Sequence, residues 1–154
     1  MKLVAMAVAV LSAATALVLA PPASAKMFFG NYNLVIPDRR DFHTWILAAT
    51  APCRDENATP IPGCISAQMI PQPVAKASYS NINATLADGR YTMVIDNPFG
   101  LRCGDIYYGP VVPTHDVYSW DENTLTGEMT STFDAGCDGA PGGTLVYPFA
   151  LLRM

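Results

Sequence analysis

The chain has 154 residues, of which 51% are hydrophobic and 14% charged, and it carries a formal net charge of −4. That length suits one domain with a hydrophobic core of its own. The mildly acidic balance, with no cluster of Lys and Arg, excludes a phosphate-binding nucleic-acid surface and a polybasic contact to anionic lipid.

The first 25 residues have the layout of a cleavable secretory signal peptide. Lys2 gives a positive start, an apolar run follows to Leu19, and Pro21-Pro22 precede the small triplet Ala23-Ser24-Ala25. Cleavage is expected after Ala25. A permanent membrane anchor is the competing reading, but a spanning helix needs about 20 apolar residues. The run from Leu3 to Ala20 has 18 and ends at the two prolines. The chain therefore divides into a signal peptide, 1–25, and an exported domain, 26–154, destined for the medium or the cell envelope without a stable membrane span. That domain has 129 residues and sets 8 Lys and Arg against 13 acids, a net charge of −5.

Beyond the leader the periodicity is that of strands. Met27–Ile36 alternates around Phe28, Tyr32 and Leu34 and stops at Pro37-Asp38. Phe42–Thr50 carries Trp45, Ile46 and Leu47 and ends before Pro52. Gly63–Ile70 is a short apolar segment closed by Pro71. Ser78–Ala87 and Arg90–Asp96 flank Asp88-Gly89, which predicts a hairpin with a type I′ turn. Asn97-Pro98 and Gly100 are expected to end its second strand. A second hairpin joins Val117–Trp120 to Leu125–Phe133 across Asp121-Glu122-Asn123-Thr124. The last strand, Thr144–Leu152, is apolar on both phases, and Pro148 within it points to a bulge or an edge. Many short strands with turn signals, and no amphipathic helix between them, predict an all-β fold: a single antiparallel β-sandwich or small barrel, preceded by the signal-peptide helix.

Four cysteines in an exported chain read as two disulfides, with three possible pairings. The expected pairs are Cys53–Cys64 and Cys103–Cys137, the first closing a turn-rich loop with Pro60, Pro62 and Gly63. Spacings of 11, 39 and 34 residues do not suit a zinc site.

Gly30-x-Tyr32, Trp45 eight residues before Cys53, Cys64 soon after, Tyr118-Ser119-Trp120-Asp121, Thr124-Leu125-Thr126-Gly127 and Pro148-Phe149-Ala150-Leu151 together carry a resemblance. The exported domain resembles small secreted mycobacterial (actinobacterial) proteins of unknown function with a two-disulfide β-domain. That likeness implies an extracellular or envelope β-domain and brings no catalytic residues and no cofactor.

The residues themselves offer little chemistry. His43 and His115 are the two imidazoles. His115-Asp116 near Ser119 is the one arrangement suggestive of a small hydrolase, and no Gly-x-Ser-x-Gly elbow accompanies it. The acids Asp121, Glu122 and Glu128 read as solvated turn and strand residues rather than a glycosidase pair. Asp134-Ala-Gly-Cys-Asp138-Gly139 lacks the ligand spacing of a calcium loop. Asn57-Ala-Thr59 and Asn83-Ala-Thr85 match the glycosylation triplet, which has no meaning in the bacterial host that the resemblance implies. No catalytic, cofactor-binding or metal-binding residue is therefore assigned. The expected function is non-enzymatic binding of an extracellular or envelope protein or lipid. Tyr107, Tyr108, Tyr118 and Trp120 are the candidate interaction surface. The alternatives are a protease inhibitor displaying the Cys53–Cys64 loop, a lipid carrier with an apolar cavity, and the hydrolase using His115.

Overall fold

The computed structural model describes residues 27–154. The expected signal peptide, its helix and the Ala25 cleavage site lie outside the described residues.

Eight antiparallel strands follow one another around a closed barrel. They are β1 (Gly30–Val35), β2 (Thr44–Arg54), β3 (Pro60–Gln72), β4 (Ser80–Ala87), β5 (Arg90–Arg102), β6 (Val111–Asp121), β7 (Thr126–Ala135) and β8 (Pro141–Arg153). A single 3-10 turn, Cys137–Gly139, links the last two. Each strand pairs with its neighbour in sequence, and β8 returns to β1 through Val35↔Ala150 and Leu34↔Leu151. Of the two all-β architectures expected, the barrel is the one formed.

The turns explain the register. Asp88 and Gly89 both have positive φ, 50° and 75°, the conformation that a type I′ turn requires. In the second hairpin the Asp121 carboxylate accepts the backbone N–H groups of Asn123 and Thr124 at 2.9 and 2.8 Å. Several strands run past the prolines and glycines expected to stop them. Pro98 and Gly100 lie in a bulge within β5, between the pairs Asn97↔Thr114 and Leu101↔Val112. Pro52 occupies an irregular stretch of β2. Pro71 lies beyond the β3–β4 ladder, and Pro148 lies before β8 meets β1. In each case the missing N–H falls where a ladder is broken or one-sided.

Alternation along the strands sends one face inward. Tyr32, Leu47, Met69, Met93, Trp120 and Met129 are among the most deeply buried side chains. Tyr91 stacks on Trp120 with centroids 5.5 Å apart, and Phe149 meets Tyr118 and Trp120 edge-on. An eight-stranded barrel is just wide enough for side chains to fill, and here large side chains fill it. The outer face of β3 and β4 is polar: Ser66 Oγ donates to Asn83, and Gln68 donates to Asn81. No helix among the described residues is long and apolar enough to cross a membrane.

Gly127 stands opposite Trp120. A methyl group at that position would overlap the Ser119 carbonyl oxygen and the Trp120 backbone. Gly127→Ala is accordingly expected to destabilise by about 1–3 kcal/mol through overpacking, read as a lower urea midpoint with an unchanged slope.

Both expected disulfides are formed. Cys53–Cys64 staples β2 to β3 near one end of the barrel. Cys103–Cys137 ties the β5–β6 loop to the β7–β8 loop at the other end. Two disulfides of this kind point to an oxidising compartment.

Candidate functional site

The end closed by the β1–β2, β3–β4, β5–β6 and β7–β8 loops carries an unusual concentration of buried charge. It begins where Pro37 turns the chain away from β1. Arg39 N–H then donates to the Ile36 carbonyl at 3.3 Å, and the Arg39 side chain folds back into the barrel mouth. Its Nη2 donates to the Gly100 carbonyl at 3.0 Å, and its guanidinium lies 6.0 Å from the centre of the Trp45 ring. Burial works against the charged form of Arg39, but Tyr118, Asp41 and Asp116 outweigh it and raise its pKa.

Asp41 is the hub. Its carboxylate accepts Trp45 Nε1 at 2.8 Å and the His43 backbone N–H at 3.1 Å. It stands 3.8 Å from Arg39 and 3.4 Å from Arg102 Nε. Burial alone would raise its pKa. The charge of Arg39 and the bonds from Trp45 and His43 win, and the carboxyl is held below its usual range. The His43 ring is fully enclosed. Its Nε2 donates to the Ala75 carbonyl at 2.6 Å, which leaves Nδ1 flanked by Asp41 Oδ1 and Arg102 Nη2, each at 2.8 Å. Arg102 also donates to the carbonyls of Lys76 and Tyr107. Three loops and the end of β5 are thereby locked together by one network.

Deeper in the same end, Asp116 is wholly buried and accepts Ser131 Oγ at 2.6 Å. Its other oxygen has no hydrogen-bond partner within the protein, and its charge is felt by the Arg39 guanidinium. Burial pushes the Tyr118 phenol well above its ordinary value, with Arg39 opposing.

Above the network sits a cluster of aromatic and aliphatic side chains. Arg102 lies 5.6 Å from the centre of the Phe42 ring. Phe42 packs on Tyr107 at 5.5 Å, and Tyr107 on Tyr108 at 4.9 Å. Tyr108 and Ile106 are 68% and 69% exposed, and Val74 and Tyr79 of the β3–β4 loop are exposed as well. The β5–β6 loop that presents Ile106 and Tyr108 is closed by Cys103 N–H to the Pro110 carbonyl at 3.0 Å, by Gly109 N–H to the Ile106 carbonyl at 2.9 Å and by the Cys103–Cys137 disulfide.

The four expected interaction residues thus separate. Tyr107 and Tyr108 lie on this loop surface. Tyr118 and Trp120 do not, and that assignment is corrected: both point into the barrel, where Trp120 is 0% exposed. The sequence holds the signal for this. Tyr118 and Trp120 are two apart, pair with Met93 and Tyr91, and share their inward face. Arg39, Asp41, Phe42, Arg102 and Ile106 were missed because a charged or isolated residue beside a turn reads as solvated.

The hydrolase reading finds no serine. Alternation puts Asp116 inside and His115 outside, while Ser119 lies four residues along the strand, about 13 Å away, and bonds Arg90. The carboxylate that does meet His115 is Asp96, 2.7 Å from Nδ1, in a pair 53% and 87% exposed. That pair borders an open cleft with Pro98, Pro113, Thr132 and Asp134. The recess at the barrel mouth, lined by Arg39, Asp41, His43 and Trp45, holds about 140 Å³. A drug-sized ligand needs at least about 300 Å³, so this recess is too small for a lipid chain. Among the described residues no three His, Cys, Asp or Glu side chains converge as metal ligands. Compared with known protein families, curated proteins and solved structures, the chain matches none.

Proposed function

We propose that this protein is an exported binding domain of the cell envelope or medium, and that it recognises a protein partner through the loop surface of Phe42, Ile106, Tyr107 and Tyr108. The observation that carries this reading is the contrast between surface and support. Exposed aromatics stand on buried charges and a disulfide, so little loop entropy is lost on docking. Tyr and Ile side chains held in this way supply contact area of the kind found at interface centres. The filled barrel interior speaks against lipid carriage as the main role.

A photo-crosslinking side chain at Tyr108, compared with one at Thr130 on the outer face of β7, tests the reading on envelope and medium fractions. The expected result is an adduct specific to position 108 that disappears with Ile106→Ser. Identical adducts from both positions, or turnover of an ester, peptide or glycoside abolished by His115→Ala, would overturn it.

A second reading has one observation in its favour. The Cys53–Cys64 hairpin has a rigid tip, in which Asp55 accepts the N–H groups of Asn57 and Thr59 at 2.9 and 2.8 Å. Inhibition of a serine or cysteine protease that is lost on altering this tip would favour the inhibitor reading.

A further inference from the structure

We propose that the open edge of β8, over Gly142–Tyr147, pairs antiparallel with the same edge of a second copy of this chain. The barrel seam is zipped along part of its length. β8 has 13 residues and β1 has 6. On one side β8 pairs with β7 from Pro141 to Ala150. On the other side its pairing with β1 begins at Ala150. Among the described residues, no strand and no loop backbone bonds to the edge ahead of that point.

Natural edge strands are blunted by charge, proline, bulges or covering loops, because an open row of N–H and C=O groups recruits other strands. Gly142-Gly143-Thr144-Leu145-Val146-Tyr147 contains neither a charge nor a proline. Leu145 and Val146 are exposed, Val146 by 55%. The β-branched Thr144 and Val146 favour the extended state. The start of the edge is also held in place: Cys137, in the β7–β8 connection, is bonded to Cys103 of the β5–β6 loop.

A second copy is the occupant that the charges favour. A two-fold axis through Leu145 sets Leu145 against itself and Thr144 against Val146 of the other copy, on matching faces. No like charges meet there, although the chain is net acidic. The nearest acids in the sheet, Glu128 and Asp134, lie one strand back on β7 opposite Pro148 and beside Gly143 respectively. In the pair, Glu128 of one copy and Asp134 of the other stand three strand spacings apart. That is about 14 Å, beyond the screening length of about 8 Å at physiological salt. One edge pair buries less than the roughly 1,200 Å² of a stable interface, so the dimer is weak and concentration-dependent.

Sedimentation equilibrium of the disulfide-bonded protein, with its N-terminus determined, tests this. The expected result is a monomer–dimer equilibrium whose Kd rises at least about tenfold, a 1.4 kcal/mol loss, in both Val146→Lys and Thr144→Lys. Both sites are exposed, and near-UV circular dichroism shows whether each variant is folded. A wild-type protein that stays monomeric to about 1 mM overturns the proposal. So does a dimer that both lysine variants leave unchanged, which would place the contact on another surface.

Discussion

Replacing Asp41 by alanine is expected to lower folding stability by about 3–5 kcal/mol, the cost of stranding buried charge. Among the described residues Asp41 is the one carboxylate that faces both Arg39 and Arg102, and the two guanidiniums are 6% and 5% exposed. Removing it leaves Arg102 with two carbonyl oxygens and His43, and Arg39 with the Gly100 carbonyl and the field of Asp116. The same substitution frees Trp45 Nε1, which loses its acceptor inside the barrel mouth. Asp41→Asn keeps an acceptor for Trp45 and discards the charge, so its loss should be smaller. Urea titration of the two variants separates the two contributions. Equal losses would mean that the ion pairs, and not the hydrogen bonds, carry the network, and an Asp41→Asn variant as stable as the wild type would mean the reverse.

The same carboxylate gives a pH dependence with a definite sign. Its folded pKa lies below the ordinary value. Asp41 therefore adds stability in full above about pH 4, where the unfolded carboxyl is ionised. That contribution is lost as the pH falls through the depressed folded value. The urea midpoint of the wild type should drop over this acid range, and the Asp41→Asn variant should show a shallower drop. Parallel curves for the two proteins would remove Asp41 as the cause.

This network also shows where reading a sequence stops. The Asp88-Gly89 hairpin was legible because a type I′ turn is local chemistry. The disulfide partners were legible because Cys53 and Cys64 close a short turn-rich loop, which leaves Cys103 for Cys137. Inward and outward faces were legible wherever alternation ran cleanly, as in Tyr91-Thr92-Met93. Arg39 and Arg102 were not, because their burial depends on contacts across 61 and 59 residues, to Gly100 and to His43. Nothing near Arg102 in sequence says that its guanidinium ends beside an aspartate from the first loop. Asp116 is the sharper case. Its alternation with Tyr118 and Trp120 predicts an inward side chain, and its charge predicts an outward one. Pairing with Ser131 and the field of Arg39 let the strand pattern prevail. The open edge of β8 was hidden for another reason: it is a property of where β1 ends, and not of β8 itself.

Removing the Cys103–Cys137 bridge, as Cys103→Ala with Cys137→Ala, should cost about 4 kcal/mol by the loop-entropy estimate for a 34-residue separation. The 11-residue bridge, Cys53–Cys64, should cost about 3 kcal/mol on the same basis. The difference in energy is modest, but the consequences differ in kind. Cys53 and Cys64 join adjacent strands already paired along much of their length. Cys103 and Cys137 join two loops that share no ladder, one carrying Ile106, Tyr107 and Tyr108, the other turning into the exposed edge of β8. Without this bridge, amide hydrogen exchange should accelerate first over 103–110 and 136–140, at denaturant concentrations where the strands stay protected. The crosslink from position 108 should weaken in step. Loss of protection spread evenly around the barrel would show that the bridge supports the whole fold instead of holding these two surfaces.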